Sequence, residues 1–148
     1  MINLVIWNEF LHEKENDQVK SIYPKGIHEC IKEFLSKDKE LSISTATLEE
    51  KDHGLSEELL EKTDVLIWWG HKAHKLVEDK IVDRIQQRVL EGMGLLVLHS
   101  GHHSKIFKRM MGTTANLRWA ERGEKERIWV CNPGCLLYTS DAADEVRS

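Results

Sequence analysis

Short, almost unbroken apolar runs alternate with amphipathic helical patterns along this chain, and that alternation restricts the fold more than any other feature. Ile2 to Trp7 is the first run and ends in Asn8-Glu9. Such runs suit strands buried on both faces, as in a parallel sheet. A helical pattern follows, with Pro24 near its start and Ile27, Ile31, Phe34 and Leu35 at helical spacing. Leu41 to Leu48 alternates and reads as the second strand. Ser56 before Glu57-Glu58 marks the start of a short helix that ends by Thr63. Asp64 to Gly70 is the clearest strand. After it, Val77, Ile81, Ile85 and Val89 form an i+4 stripe, closed by Glu91-Gly92. Leu95 to Leu98 is a fourth buried strand, and Ile106, Phe107, Met110 and Met111 outline one more short helix before Gly112. Leu117-Arg118-Trp119 and Arg127 to Asn132 read as late strands. The β-α-β-α order predicts an α/β fold with a doubly wound, mostly parallel, flavodoxin-like sheet.

Composition excludes several classes. The 148 residues suit one domain, and 41% hydrophobic with 31% charged residues is ordinary for a globular protein. A net charge of −4 offers no basic face for nucleic acid. The opening apolar run is too short for a signal peptide or a membrane span. Three scattered cysteines, Cys30, Cys131 and Cys135, form no disulfide framework, so a cytoplasmic location is expected. Eight histidines and five tryptophans are the unusual entries for so short a chain. Exposed tryptophans would favour association, and a homo-oligomer is among the expected partners.

The histidines sort by position. In open α/β sheets, ligands bind outside the carboxyl ends of the strands. Asn8, Glu9, His12 and Glu13 follow the first strand, His53 the second, His71 and His74 the third, and His99, Ser100, His102 and His103 the fourth. Only His28, in the first helix, falls outside this set. His71-x-x-His74 and His99-x-x-His102 would offer paired imidazoles on a helical turn, and imidazole suits zinc or another transition metal. Glu9 suits general acid/base work or the orienting of an imidazole. Glu13 reads as a solvated carboxylate, His53 as a loop residue open to solvent, and His103 as the start of the next helix. Of Trp7, Trp68 and Trp69, at least two are expected in the core, and one is free to stack on a sugar.

Ser100-Gly101 occupies the strand-to-helix turn where a nucleophile elbow would sit. Leu98 and His102 stand where that motif needs glycine, so the elbow sequence is absent. Ser100 also suits a helix cap. No phosphate loop of Walker type is present.

The blocks Val5-Ile6-Trp7-Asn8-Glu9-Phe10, Tyr23-Pro24-x-Gly26-Ile27-His28, Trp68-Trp69-Gly70-His71-x-Ala73-His74 and Leu98-His99-Ser100-Gly101-His102-x-Ser104-Lys105 together resemble the ThuA-like, trehalose-utilisation family. The resemblance covers residues 1–134. It implies a class I glutamine amidotransferase-like fold and a place in the catabolism of trehalose or related keto-sugars. Ser100 stands at the elbow where an amidotransferase would carry cysteine. The family domain is expected to be incomplete at its C-terminal side. Residues 135–148, which resemble a translated sequencing adapter, are expected to be a non-native tail.

These readings assemble a candidate site for a small sugar. Glu9, His99 and Ser100 are candidates for the chemistry, and Asn8, Trp69 and His102 for holding the substrate. His12, His71 and His74 are candidates for a divalent transition metal such as zinc. A sugar-processing enzyme is the first expectation. A non-catalytic sugar-binding or regulatory module is the second, and a hydrolase or amidotransferase-like enzyme using Ser100 the third.

Overall fold

The computed structural model describes residues 1–117 and Gly123. The chain divides into two compact units, Met1–Asn116 and Leu117–Ser148, and the architecture below is that of the first. The strands expected around Trp119 and over 127–132, and the tail after Gly134, lie outside the described residues.

Four strands form one parallel sheet: β1 (Ile2–Asn8), β2 (Leu41–Thr47), β3 (Val65–Trp69) and β4 (Gly94–Val97), in the order β2-β1-β3-β4. This is the parallel α/β sheet expected from the apolar runs. The helices are α1 (His12–Glu15), α2 (Asp17–Ile22), α3 (Ile27–Leu35), α4 (Glu57–Glu61), α5 (Asp79–Leu90) and α6 (Lys105–Met111). Two 3-10 turns, Lys51–Gly54 and His99–His103, follow β2 and β4.

Alternation along each strand sends side chains to opposite faces. Val5 and Trp7 of β1 and Leu66 and Trp68 of β3 join one cluster with Leu60 of α4, Ile81, Val82 and Ile85 of α5, and Ile106 of α6. Leu4, Ile6 and Ile67 point the other way and meet Ile31 and Leu35 of α3. Each such aliphatic side chain contributes roughly 1.5–3 kcal/mol on burial. Trp7 and Trp68 are register partners on adjacent strands, so their rings stack, with centroids 3.7 Å apart. Both are 1% exposed. These two are the core tryptophans, and Trp69, one residue on and facing the opposite side, is half-buried. Neither core ring offers a surface for association.

The helix boundaries move where capping decides them. Ser56 Oγ accepts from the Leu59 N–H and starts α4 as expected. Ser104, not Ser100, caps α6 by accepting from the Phe107 N–H. Gly26 is the N-cap of α3, two residues after Pro24. It lies at φ +90°, where only glycine is comfortable. Val77 is buried but precedes α5, whose cap is Glu78. Among the described residues no helix is long and apolar enough to cross a membrane.

Candidate functional site

β1 has β2 on one side and β3 on the other, so the winding reverses between β1 and β3. The crevice at such a switch point, beyond the carboxyl ends of the strands, is where open α/β sheets take ligands. Asn8 and Trp69 are register partners at that end, and the Glu9 N–H donates to the Trp69 carbonyl at 3.3 Å.

Glu9 is 1% exposed. Its Oε1 accepts from the Lys72 N–H at 2.6 Å and its Oε2 from the Ala73 N–H at 2.9 Å. The carboxylate therefore holds the loop after β3 against the end of β1. A Cβ on Gly70 would lie 3.3 Å from both Glu9 Oε2 and His74 Nδ1, which places His74 beside this carboxylate.

Three rings form a row next to it. His12 and His71 stack with centroids 4.7 Å apart, and Trp69 and His71 stack at 6.1 Å. Desolvation first, then the neighbouring His12, hold His71 below the ordinary imidazole value, so it is neutral at physiological pH. A second cluster comprises His74, His103 and His102, with centroid separations of 6.1 and 4.0 Å. Burial is the first cause lowering both His74 and His103. The Nε2 atoms of His74 and His102 are buried without a hydrogen-bond partner among the described residues.

The residue pair after β1 differs from the sequence expectation. Glu13 is 3% exposed rather than solvated, because α1 turns it inward. Its Oε1 accepts from Asn8 Nδ2 at 2.7 Å and from the Ile27 N–H at the start of α3 at 3.0 Å, while Oε2 is buried without a partner among the described residues. Asn8 is fully buried. Its Oδ1 accepts from the Phe10 N–H, so its Nδ2 is the donor toward His28 Nδ1 at 2.8 Å. Phe10 packs edge-on to the same imidazole, with centroids 4.9 Å apart. His28 therefore belongs to the carboxyl edge as well. Its position was legible in principle: a helix that follows a strand in a βα unit begins near that strand's carboxyl end, and His28 is in the first turn of α3.

His53 is also buried, at 9% exposure, not open to solvent. Its Nδ1 donates to the Leu48 carbonyl at 2.7 Å and its Nε2 accepts from the Glu78 N–H at 3.1 Å. Both ring nitrogens are spent on tying the turn after β2 to the start of α5. The His71-x-x-His74 segment is a bend and turn, not a helical turn. His99 lies at φ +35° as β4 gives way to its turn. Ser100 is 9% exposed and sits just beyond that kink.

The fit of a metal follows from donor placement. Lone pairs lie in the imidazole planes, so the stacked rings of His12 and His71 direct them side by side rather than to one point. Among the described residues no three His, Cys, Asp or Glu side chains are placed to hold one ion. As placed, His12, His71 and His74 do not fit the three-ligand arrangement of a zinc centre.

Fold and site thus define a parallel α/β protein with imidazoles and an aromatic ring gathered at the sheet's switch point. The family model for ThuA, trehalose utilisation, matches residues 3–140, and the chain belongs to that family. The described sheet is consistent with the class I glutamine amidotransferase-like superfamily implied by the resemblance. No curated protein matches the sequence.

Proposed function

We propose that this protein acts on trehalose or a related keto-sugar in a cytoplasmic, sugar-processing step, with its ligand seated at the carboxyl ends of β1 and β3. Family membership supports a role in trehalose utilisation in general. The observation that carries the finer reading is the row Trp69–His71–His12 at the switch point. An aromatic face suits the C–H face of a sugar, and imidazole nitrogens exchange hydrogen bonds with hydroxyls. His74 and His102 extend the polar lining. Glu9 serves by holding the loop that carries His71 and His74. The free, exposed Cys30 is in keeping with a reducing compartment.

Titration calorimetry of the full chain with trehalose tests this reading. Saturable binding is expected, with affinity at least about tenfold weaker in Trp69→Ala and in His71→Ala. Absence of binding to trehalose and to its keto derivative overturns it. Binding without turnover of either sugar identifies the non-catalytic module instead.

The second reading is a hydrolase or amidotransferase-like enzyme using Ser100. The strained backbone at His99, one residue before Ser100, favours it, since strain of this kind gathers at functional turns. A serine-directed fluorophosphonate that leaves Ser100 unlabelled sinks this alternative.

A further inference from the structure

The Nε2 of His102, buried and unpartnered among the described residues, is informative because the other ring nitrogen is accounted for. His102 Nδ1 lies 3.1 Å from the main-chain oxygen of His99. A carbonyl only accepts, so Nδ1 carries a proton, and the tautomer this selects has Nε2 as a bare lone pair. The His103 ring lies against it, with centroids 4.0 Å apart, and limits its rotation.

The His99 carbonyl is itself aimed by the turn. His99 sits at φ +35°, outside the comfortable range of a side-chain-bearing residue. The residues around it are pinned. The Leu98 N–H donates to the Trp68 carbonyl at 2.9 Å and the Gly101 N–H to the Leu98 carbonyl at 2.8 Å. Gly101 approaches β4 so closely that a Cβ there would lie 2.8 Å from Val97 Cγ1. Strained conformations persist only where the surroundings over-determine them.

A buried acceptor with no donor among the described residues calls for a donor from outside them. A sugar hydroxyl meets that need, and an anion does not, because it would set one lone pair against another. We propose that His102 Nε2 accepts a hydrogen bond from a hydroxyl of the bound sugar, and that the His99 main-chain carbonyl is the positioning group that holds it in that role. The His99 side chain is then dispensable for binding. This rests on the sugar-site reading above and sharpens it to one atom.

The test uses the full chain with ¹⁵N-labelled histidine. Long-range ¹H–¹⁵N spectra report each ring's tautomer, and His102 is expected to be protonated at Nδ1 before any ligand is added. Saturating trehalose should then shift the His102 Nε2 resonance. His102→Gln, whose amide oxygen reaches the Nε2 position, and His99→Asn, which keeps the carbonyl and tolerates positive φ, should each hold the trehalose Kd within about threefold. His102→Ala should raise it at least about tenfold. An Nε2-protonated ring overturns the proposal. So does an unmoved Nε2 resonance at saturation, or a folded His99→Asn variant as impaired as His102→Ala. Failure of the unaltered protein to bind trehalose overturns the sugar reading itself, while the ligand-free tautomer still decides the His99–His102 arrangement.

Discussion

Glu9 Oε2 accepts the Ala73 main-chain N–H at 2.9 Å, joining the end of β1 to the loop after β3. Together with the bond from Lys72, it makes a buried carboxylate the fastening for the segment that bears His71 and His74. The candidate site is therefore shaped by a residue whose oxygens both face protein.

Removing that fastening should be costly. Glu9→Ala leaves two main-chain donors without their acceptor and is expected to destabilise the fold by about 3 kcal/mol. Glu9→Gln keeps one amide oxygen and should cost roughly half as much. Urea denaturation of the two variants checks the order. Equal losses would mean that packing, not hydrogen bonding, sets the effect.

Gly26 should tolerate no side chain. A Cβ there would lie 2.4 Å from His28 Cε1 and 2.8 Å from Phe10 Cε2, at a φ of +90°. Gly26→Ala is expected to cost at least about 2 kcal/mol and to displace His28 from Asn8. Thermal unfolding and the His28 ring resonances provide the readout. A variant with unchanged melting temperature would refute the crowding.

The two tryptophans after Ile67 should separate stability from binding. Trp68 is stacked in the core, so Trp68→Ala is expected to cost about 3–5 kcal/mol. Trp69 is half-buried beside His71, and Trp69→Ala should cost less than about 2 kcal/mol while weakening sugar binding. Denaturation and calorimetry on the same preparations distinguish the two effects. Equal destabilisation by both changes would remove Trp69 from the site.

Stability should fall in mild acid. Burial is the first cause holding His28, His71, His74 and His103 below the ordinary imidazole value of 6.5. The folded chain then binds fewer protons than the unfolded chain just below that value. Their contribution is complete above 6.5, is lost as pH falls through it, and levels off beneath the lowered folded values. The urea midpoint is expected to drop between about pH 7 and about pH 5, with a shallower slope in His28→Asn. A flat profile over that window would contradict the burial of these rings.

Much of this architecture was legible from side-chain order alone. Apolar runs such as Val5-Ile6-Trp7 and Leu66-Ile67-Trp68 have too few polar positions for a strand with a wet face, so a sheet covered on both sides follows. Strand ends in such a sheet define the ligand edge, which is why Glu9, His71 and His102 could be singled out before any contact was seen. Contacts between distant residues were not legible. Glu13 and His53 look solvated in polar segments, yet α1 turns Glu13 toward Asn8 and the start of α3, and the turn after β2 seats His53 against Leu48 and Glu78. His71 and His74 share a sequence spacing that suggests one shared ligand, but the bend after β3 sends their rings into separate clusters.

By itself, the sequence determined the α/β class, the edge of the sheet that gathers the histidines, and membership of the trehalose-utilisation family. These depend on periodicity and local motif, which a linear chain carries intact. The tertiary structure decided which imidazoles are clamps, which stack, and which keep a bare nitrogen. Those assignments depend on hydrogen-bond partners up to 64 residues away, as between Glu9 and Ala73, and no local pattern encodes them.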